Sequence, residues 1–284
     1  MGIQTIGIIG AGIMGNGIAQ VCAQAGIQTI MQDVAEAALE RGMKTISASL
    51  ERGVRKGTMT EAEQAAVVAR IRTTTKAEDL ADADLIIEAA TENEALKVKI
   101  LQSVDRIARP GAIIATNTSS ISITKLAAAT GRPDRFVGMH FFNPVPVMAL
   151  VEVISGLQTS EETAQAVAEL ARRLGKTAIG VKNSAGFAVN RILCPMLNEA
   201  IFTLQEGIAS AEEIDAGMKL GCNHPIGPLA LCDMVGLDTL LAVMHVLYST
   251  FNDPKYRPAP LLQEMVDAGM LGRKSGRGFY SYAK

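Results

Sequence analysis

Three glycines near the N-terminus have the spacing of a phosphate-binding turn. Gly10, Gly12 and Gly15 form a Gly-x-Gly-x-x-Gly pattern that follows the apolar run 6–9 and precedes a helical pattern. In such a turn the first glycine allows a sharp reversal, the second lets the backbone approach a pyrophosphate, and the third lets the helix pack closely on the strand. The N–H groups at the start of the helix also favour an anion there. An ordinary glycine turn is the alternative.

An acidic residue follows this turn at the distance that a dinucleotide-binding unit requires. Asp33 ends a second predicted strand and lies 23 residues beyond Gly10, close to the spacing of about 20 residues that is usual for a carboxylate that holds the adenine ribose. Its carboxylate oxygens can accept hydrogen bonds from ribose hydroxyls, but its negative charge would repel a 2′-phosphate. Arg41, the nearest basic residue that follows, is too far along the chain to be an obvious phosphate ligand. We therefore predict a dinucleotide site that takes NAD rather than NADP.

Several polar residues further along the chain stand at or just after the ends of predicted strands. They are Glu92, Asn117, Ser119 and His140. In open α/β sheets ligands bind outside the carboxyl ends of the strands, so these side chains are candidates for a site beside the glycine turn. Of the three histidines only His140 has such a position, and imidazole is a suitable base for removing a hydroxyl proton near neutral pH. The alternative is that His140 is a structural histidine.

A carboxylate stands inside an apolar run shortly after this histidine. Glu152 lies within the run 150–154, where its neighbours Val151 and Val153 point to the opposite face of a strand. A buried charge without a partner is costly, and His140 would be that partner if the two strands are neighbours. The carboxylate would then fix the tautomer of the imidazole and stabilise its protonated form. The alternative is an edge strand with one solvated glutamate.

The elements that must position these residues alternate between apolar runs and helical patterns. The predicted strands are Thr5–Ile9, Thr29–Gln32, Arg70–Thr74, Asp84–Ala89, Ala112–Thr116, Phe136–His140, Leu150–Ile154 and Thr177–Lys182. The helical patterns between them are Met14–Ala25, Ala35–Arg55, Glu61–Val68, Asn93–Ala108, Ile123–Ala129 and Glu161–Leu174. Several strands are continuous runs of Ile, Val and Ala, which are typical of strands buried on both faces of a parallel sheet. The alternation predicts the α/β class, with a Rossmann-type doubly wound, mostly parallel sheet.

The chain changes character near residue 184. From Phe187 to Ala268 no convincing strand pattern occurs, and apolar residues recur at helical spacing. The helical patterns there are Ile192–Leu204, Ala211–Leu220, Leu237–Tyr248 and Pro260–Ala268, with prolines between them. We therefore predict two domains. Residues 1–184 would form the dinucleotide-binding domain, with a helical excursion near residues 35–68, and residues 185–284 would form an all-helical C-terminal domain.

Composition excludes several classes of protein. The 284 residues carry a formal net charge of -2, so nothing indicates a general nucleic-acid or membrane surface. No stretch approaches the roughly 20 apolar residues of a membrane helix, and the four cysteines show no Cys-x-x-Cys spacing. The spacing of His224 and His245 to the cysteines matches no zinc pattern, so we predict no metal. These features favour a cytoplasmic protein that binds neither nucleic acid nor membrane.

A set of longer motifs occurs in order along almost the whole chain. They are Gly10–Gly15, Asn117–Ser120, Gly138–Pro144, Leu150–Val153, Gly186–Arg191, Met218–Gly221, His224–Pro228 and Gly278–Tyr280. Together they resemble the L-3-hydroxyacyl-CoA dehydrogenase family, especially its short-chain 3-hydroxybutyryl-CoA members. The resemblance extends from Ile6 to Tyr280, and an ordered set of this kind is far more specific than any single motif.

The resemblance implies NAD-dependent interconversion of (S)-3-hydroxyacyl-CoA and 3-oxoacyl-CoA, with 3-hydroxybutyryl-CoA and acetoacetyl-CoA as the expected pair. It implies that His140 removes the 3-hydroxyl proton as hydride passes from C3 to the nicotinamide, while Glu152 orients the imidazole. Ser119 and Asn190 would hold the substrate oxygens near His140 and the nicotinamide. Asn190 would reach this site from the start of the helical domain, and closure of the two domains would then gate the reaction.

The resemblance also assigns contacts to the cofactor and to coenzyme A. The cofactor positions, besides the three glycines, are Asp33, Glu92, Lys97, Ser119, Asn143 and Lys274. Ser49 and Lys56 match positions that contact coenzyme A, and the basic residues Arg52 and Arg55 lie beside them. A phosphate-bearing substrate would give this basic cluster a function. A solvated helical face is the alternative.

The resemblance further suggests an oligomer, and the residues leave two other functions open. The apolar surfaces of the helical domain point, by the resemblance, to a homodimer formed through that domain. A dehydrogenase of the same architecture that acts on a free hydroxy acid or sugar acid is the main alternative. A crystallin-like structural protein that binds NAD is another, although the presence of Ser119, His140, Glu152 and Asn190 argues against lost activity.

Overall fold

The computed structural model describes residues Gly2–Tyr282 and contains two compact units. One unit extends to Ser184, and the other starts at Ala185. The first unit is built from alternating strands and helices, and the second is built mainly from helices. The predicted fold class, a mostly parallel Rossmann-type sheet followed by an all-helical region, is therefore confirmed.

Within the described part of the chain, eight strands form one sheet in the first unit. The strands are β1 (Thr5–Ile9), β2 (Gln28–Gln32), β3 (Ile71–Thr74), β4 (Leu85–Glu88), β5 (Ile113–Thr116), β6 (Phe136–Phe141), β7 (Leu150–Ser155) and β8 (Thr177–Lys182). Their spatial order is β3-β2-β1-β4-β5-β6-β7-β8, so the chain starts inside the sheet, builds one edge and then returns to build the other. Every predicted strand is present, with its ends shifted by a single residue at most.

The strands run parallel except at one place. In the sheet of the described residues, β6 and β7 are antiparallel, and the other neighbouring strands pair in parallel. The central strands β4 and β5 are buried along their whole length, as expected where helices cover both faces of a parallel sheet. The carboxyl ends of β1, β2, β4, β5 and β6 therefore meet at one edge, which we call the carboxyl edge.

Helices connect these strands, as the alternation predicts. They are α1 (Ile13–Gln24), α2 (Glu36–Arg55), α3 (Glu61–Ala69), α4 (Glu94–Ile107), α5 (Ile123–Ala127) and α6 (Glu161–Arg173). The helices α2 and α3 form the helical excursion, in which α2 buries Leu39, Ile46 and Leu50 in the same apolar core as α1. A capping box of Thr60 and Glu63 starts α3 and fixes the point where the excursion turns back toward the sheet.

The second unit packs its helices around a core of its own. They are α7 (Val189–Gln205), α8 (Ala211–Gly221), α9 (Pro228–Val235), α10 (Leu237–Phe251) and α11 (Pro260–Asp267). The sequence patterns predict the other four but not α9, because Pro225 and Pro228 indicate a break. In the structure Pro228 lies in the first turn of α9, where a proline loses no helical hydrogen bond. Leu229 and Cys232 are fully buried and place α9 in this core.

Two buried carboxylates organise the end of the second unit. Asp233 accepts hydrogen bonds from the backbone N–H groups of Phe279 and Tyr280, and a side chain at Gly278 would collide with this carboxylate. Asp215 accepts hydrogen bonds from the first turn of α9 and from the Tyr280 hydroxyl, which is 2.8 Å away. Burial and this contact raise the pKa of Tyr280. The last of the sequence motifs therefore serves to dock the tail of the chain.

No single helix among the described residues is long and apolar enough to span a membrane. In that part of the chain the bent pair α9 and α10, with 97° between the helices, reaches the required length and apolarity only when both are taken together. Leu229, Leu237 and Leu240 of this pair are buried in the core of the second unit. Packing within that core accounts for the apolar composition of the pair.

Candidate active site

The glycine turn between β1 and α1 forms an open cradle. Gly10 has a φ of 98° and lies so close to Ala89 and Ala90 that a Cβ would be 2.8 Å from their backbone atoms. A Cβ on Gly15 would collide with the Gly10 carbonyl oxygen, whereas one on Gly12 would meet no atom within 4 Å. The protein's own packing therefore requires the first and third glycines, and the second faces open space. A bound pyrophosphate needs this arrangement, so the residues present fit a dinucleotide.

Asp33 follows the carboxyl end of β2 and closes the glycine turn. Its Oδ2 accepts a hydrogen bond from the backbone N–H of Ala11 at 2.9 Å, and its Oδ1 accepts one from Ala35 at 3.1 Å. The side chain is only half-buried. Because each carboxylate oxygen has more than one lone pair, Asp33 can hold the glycine turn and still accept a hydrogen bond from a ribose hydroxyl.

His140 and Glu152 are direct partners across the antiparallel strands β6 and β7. Nδ1 of His140 lies 2.7 Å from Oε2 of Glu152, and the Glu152 side chain is fully buried. Because β8 covers β7, the edge-strand alternative for Glu152 is wrong. A carboxylate only accepts hydrogen bonds, so this contact favours the tautomer that has its proton on Nδ1 and its lone pair on Nε2. The ring of Phe142 packs beside the imidazole, with 4.5 Å between the two centroids.

A further carboxylate gathers the turn that follows β5. Oε1 of Glu92 lies within 3.1 Å of the backbone N atoms of Ser119 and Ser120 and of the hydroxyl oxygens of Thr118, Ser119 and Ser120. The Ser119 hydroxyl thus donates to Glu92, while its oxygen keeps lone pairs for another donor. The structure therefore brings together two residues that the resemblance assigns to the cofactor and the substrate.

A buried ion pair lies next to this turn. Nζ of Lys97, on α4, is 2.6 Å from Oε2 of Glu88 and 3.8 Å from Oε2 of Glu92, and the Lys97 and Glu88 side chains are 2% and 0% exposed. Glu88 also accepts hydrogen bonds from Thr116 Oγ1 and from the backbone N–H of Ala90, both at 2.8 Å. Lys97, which the resemblance assigns to the cofactor, is thus held inside the protein by Glu88.

Glu88 and Thr116 are the residues of this edge that sequence reasoning missed. The predicted strand 84–89 places Glu88 one residue before its end, whereas in the structure Glu88 is the last residue of β4. Thr116 ends β5 in the same way. A polar residue that closes an apolar run is the signal that identifies Asp33 and His140, and the same signal could have found Glu88.

Two asparagines follow the ends of the neighbouring strands β5 and β6. Oδ1 of Asn117 accepts a hydrogen bond from the backbone N–H of Phe141 at 2.9 Å, which ties the end of β5 to the strand that carries His140. Asn143 is exposed on the loop that leaves β6, and its peptide bond to Pro144 is cis. Asn117 is therefore a structural tie, whereas Asn143 presents its amide at the surface.

The residues that the resemblance assigns to coenzyme A lie at the end of α2. Ser49 is half-buried, and Lys56 is exposed at the C-cap of this helix. Arg52 and Arg55, in the last turn, are exposed as well. An exposed basic cluster suits phosphate recognition, and it also complements the carbonyl end of the helix dipole. The geometry is thus compatible with both interpretations of the cluster.

Asn190 lies in the second unit, in the first turn of α7. It follows a tight turn in which Gly186 and Phe187 have φ values of 74° and 49°. A Cβ on Gly186 would be 2.9 Å from the backbone N of Arg191, so this turn requires glycine. The Arg191 guanidinium stacks on the ring of Phe251 at 3.8 Å, a cation–π contact that anchors the start of α7 within its unit.

Lys274 lies on a short turn near the end of the second unit. Its Nζ donates a hydrogen bond to Oδ2 of Asp238 at 2.7 Å, in the first turn of α10. Gly272 precedes Lys274 with a φ of 91°, and a side chain there would collide with the backbone of Asp233. The turn is thus seated firmly, while the Lys274 side chain stays exposed.

Among residues Gly2–Tyr282, no group of three or more His, Cys, Asp and Glu side chains could hold a metal ion. Cys22 and Cys194 are buried, and burial raises the pKa of each thiol to about 12. A thiol with so high a pKa is a poor nucleophile at neutral pH. These two cysteines therefore serve the packing of their cores.

Two family models match the chain. The NAD binding domain of 3-hydroxyacyl-CoA dehydrogenase matches residues 5–184, and the C-terminal domain of 3-hydroxyacyl-CoA dehydrogenase matches residues 186–282. The glycine cradle lies within the first of these matches. The cofactor of the chain is therefore NAD, as the position of Asp33 predicts.

Relatives of known name match the chain over its whole length. The probable 3-hydroxybutyryl-CoA dehydrogenase of Bacillus subtilis is 54% identical over 282 residues, which are 99% of this chain and 98% of the relative. The 3-hydroxybutyryl-CoA dehydrogenase of Bradyrhizobium diazoefficiens is 52% identical over 280 residues, or 99% of this chain and 96% of the relative. A crystal structure of (S)-3-hydroxybutyryl-CoA dehydrogenase from Ralstonia eutropha is 64% identical, covers 100% of both chains and has a TM-score of 0.97. The chain therefore belongs, as its ordered motifs predict, to the 3-hydroxyacyl-CoA dehydrogenase family.

Proposed function

We propose that His140 is the general base in the NAD-dependent oxidation of (S)-3-hydroxyacyl-CoA to 3-oxoacyl-CoA, and the general acid in the reverse reduction. The 2.7 Å contact between its Nδ1 and Oε2 of Glu152 carries this proposal. With the Nδ1 proton held by the carboxylate, Nε2 has the lone pair that can take the proton of the 3-hydroxyl group. The family defines the reaction, and the buried pair offers the residues for its proton transfer.

The oxidation moves a hydride and a proton from the substrate to two different acceptors. NAD, when bound, supplies the acceptor for the hydride that leaves C3. As C3 loses that hydride, the 3-hydroxyl group loses its proton to Nε2 of His140, and the C–O bond becomes a carbonyl. The imidazole then carries a positive charge, which the negative charge of Glu152 stabilises in a buried place. In the reductive direction the same Nε2–H returns its proton to the 3-oxo oxygen.

Ser119 and Asn190 hold the substrate oxygens in this proposal. The 3-hydroxyl group gives its single proton to Nε2 of His140, so the Ser119 hydroxyl would hold its oxygen by turning away from Glu92 and donating to it. Asn190 offers an amide N–H that can donate to a carbonyl oxygen, on a helix start that Arg191 anchors. Two donors of this kind would orient the oxygen of the alcohol and that of the ketone alike.

The NAD contacts in this proposal follow the carboxyl edge of the sheet. The set is Gly10, Gly12, Gly15, Asp33, Glu92, Lys97, Ser119 and Asn143, with Lys274 added from the second unit. The open cradle at Gly12 and the half-buried carboxylate of Asp33 support the first part of this set. The contacts of Glu92 with Ser119 and with Lys97 support the assignment of these three residues to the cofactor.

The proposed substrate is a short acyl-CoA, 3-hydroxybutyryl-CoA, with acetoacetyl-CoA as the oxidised product. Relatives that bear this name at 52–64% identity support the choice. Ser49 and the exposed cluster Arg52, Arg55 and Lys56 would receive the phosphates of coenzyme A. A free hydroxy acid or sugar acid offers this cluster a single carboxylate, whereas coenzyme A offers several phosphate groups, so the cluster favours CoA.

A substrate comparison tests the proposal. NADH absorbance would be followed with acetoacetyl-CoA, with acetoacetate and other free oxo acids, and with NADPH in place of NADH. Turnover of acetoacetyl-CoA with NADH, and little with free acids, supports the proposal. Turnover of free acids alone would support the free-acid alternative, and NADPH with equal kcat/KM would contradict the role of Asp33. No turnover at all, with NADH still bound, would indicate the structural alternative.

A homodimer formed through the C-terminal helices and a cytoplasmic location complete the proposal. In the second unit Ile192, Ile208 and Leu220 are 71%, 68% and 87% exposed, and a partner subunit would bury such apolar side chains. Sedimentation should give twice the 30.0 kDa of one chain, and Leu220→Glu should lower it; a monomer would contradict the dimer. The four cysteines are free, which suits a reducing compartment, and cell fractionation tests the location.

A further inference from the structure

Glu88 is a buried carboxylate that the proposed proton transfer does not use. Its side chain is fully buried at the end of β4. A buried charge is costly unless it is paired and hydrogen-bonded, and Glu88 has contacts of both kinds. They are Lys97 Nζ at 2.6 Å, Thr116 Oγ1 at 2.8 Å and the backbone N–H of Ala90 at 2.8 Å. Each contact leads to a different segment of the carboxyl edge.

The contact with Ala90 fixes the backbone beneath the glycine cradle. The N–H of Ala90 donates to Oε1 of Glu88, and the backbone N–H of Ala89 donates to Ile9 at 2.8 Å. Gly10 packs directly on this segment, since a Cβ on Gly10 would lie 2.8 Å from backbone atoms of Ala89 and Ala90. Glu88 therefore supports the first turn of the cradle.

The contact with Lys97 decides which carboxylate holds its ammonium group. Nζ lies 2.6 Å from Glu88 and 3.8 Å from Glu92, and the Glu92 side chain is 44% exposed. Glu88 is the tighter partner, because Coulomb attraction falls with distance and solvent screens the exposed group. Glu92 therefore stays in place: its Oε2 faces the Lys97 ammonium, and its Oε1 accepts from the hydroxyl and N–H donors of the Ser119 turn.

The contact with Thr116 ties the same carboxylate to the start of that turn. Thr116 donates to Oε2 of Glu88, and its oxygen accepts a hydrogen bond from the backbone N–H of Thr118 at 3.4 Å. The Glu88 carboxylate therefore contacts Ala90, which packs against Gly10 of the cradle, and Thr116, which precedes the Ser119 turn. It also holds Lys97 of α4. Among the described carboxylates, only Glu88 makes all three of these contacts.

We propose that Glu88 is a positioning residue for the cofactor site: it sets the place of the Lys97 ammonium and so leaves Glu92 to hold Ser119. This inference rests on the proposed function, in which Lys97 contacts the cofactor. Loss of the Glu88 charge would draw Lys97 toward Oε2 of Glu92, and the shift of this carboxylate would weaken the contacts of its Oε1 with the Ser119 turn. The defect should fall on NADH affinity more than on kcat, because His140 and Glu152 form a separate pair.

Glu88→Gln removes the charge and keeps the shape of the side chain. We expect the Kd for NADH, from fluorescence titration, and the KM for NADH to rise about tenfold, the effect of one lost hydrogen bond between charged groups. The value of kcat should fall less than the affinity for NADH, since His140 and Glu152 are untouched, while the disturbed Ser119 should also raise the KM for acetoacetyl-CoA. A folded Glu88→Gln variant that binds NADH as tightly as the unsubstituted protein would overturn the inference.

A double variant separates positioning from packing. Lys97→Met alone tests the proposed cofactor contact and should also weaken NADH binding. If Glu88 acts through Lys97, adding Glu88→Gln to Lys97→Met causes no further loss of NADH affinity. Losses that multiply would overturn the inference. Unchanged affinity in Lys97→Met would remove Lys97 from the cofactor site and the inference with it, whereas a defect in Lys97→Met alone would overturn only the role of Glu88.

Asp105→Asn is the matched control on the same helix, α4. Asp105 accepts hydrogen bonds from Arg132 Nε and from the backbone N–H of Gly131, both at 2.7 Å. This variant should lower Tm but leave the Kd for NADH unchanged, and an equal rise in its Kd would show that Glu88→Gln acts by general destabilisation. If Glu88→Gln does not fold, the neutral double variant, which leaves no unpaired buried charge, is compared with Lys97→Met in its place.

Discussion

Two buried carboxylates, Glu88 and Glu152, serve one edge of the same sheet in different ways. Both are fully buried, and each meets one basic side chain, Lys97 at 2.6 Å and His140 at 2.7 Å. The lysine ammonium is a point charge that only donates, whereas an imidazole can exchange its proton near neutral pH. A buried carboxylate with a basic partner can therefore hold a fixed charge in the Glu88–Lys97 pair and move a proton in the Glu152–His140 pair.

The backbone explains why the two pairs are built differently. Glu88 ends a parallel strand, and its partner comes from the helix that follows. Glu152 lies inside β7 and meets its partner only because β7 runs antiparallel to β6. In a sheet of parallel strands, the side chains at the carboxyl edge come from strand ends and the loops after them. The antiparallel step lets a residue from within a strand join them.

His140→Ala tests the His140–Glu152 pair as the proton-transfer group and should have the largest effect on kcat. We expect kcat for acetoacetyl-CoA reduction to fall about a thousandfold, because the variant has no group to deliver the proton. The Kd for NADH should be unchanged, since the cradle and Asp33 are intact. Steady-state kinetics and NADH fluorescence titration measure the two quantities. Retained turnover would remove His140 from its proposed role.

Glu152→Gln tests the same pair by changing the carboxylate that contacts His140. The amide keeps the shape but loses the charge that stabilises the imidazolium, so we expect kcat to fall about ten- to a hundredfold. The KM for NADH should change little, which is the opposite split from that expected for Glu88→Gln. Equal effects of the two variants on kcat and on KM would show that the two pairs do not have separate functions.

Gly12→Ala tests the cradle with little risk to the fold. Because a Cβ there meets no protein atom within 4 Å, we expect an unchanged Tm and a roughly tenfold rise in the KM for NADH, since the methyl group would occupy the place of the pyrophosphate. Gly217→Ala, a helical position that also has open space, is the control. It should stabilise the protein by up to about 1 kcal/mol and leave KM unchanged. Equal KM values in both variants would contradict the cradle.

Asp33→Asn should have the smallest effect of the series. The amide oxygen can still accept the hydrogen bond from Ala11, but the repulsion of a 2′-phosphate is lost. We expect the preference for NADH over NADPH, measured as the ratio of kcat/KM values, to fall a few-fold, with kcat for NADH nearly constant. An unchanged ratio would mean that Asp33 does not select the cofactor.

Most of the fold was predictable because its elements have strong local signals. The strands are short runs of Ile, Val and Ala, and the helices begin at capping residues such as Thr60 and Ser160. The exception is α9, where Pro228 reads as a break although a proline suits the first turn of a helix. Local sequence shows that a proline restricts the backbone but not on which side of it a helix lies.

The site was predictable only where a residue's position along a strand decides its place. Asp33 and His140 follow from the strand-end rule, and Glu152 required the order and direction of β6, β7 and β8 before its partner could be known. The burial of Lys97 depends on how α4 is placed beside Glu88 at the end of β4, a three-dimensional arrangement that the sequence pattern does not contain. Glu88 was missed because one residue of error in the end of a strand hid it.

The antiparallel step between β6 and β7 also affects how the site assembles during folding. His140 and Glu152 are 12 residues apart in the chain, whereas Glu88 and Thr116 are 28 apart. Loop-closure entropy grows with the logarithm of loop length, so the longer contact costs about 0.7 kcal/mol more to close. The histidine and its carboxylate therefore belong to one hairpin, a local contact that can form before the crossovers of the parallel strands are closed.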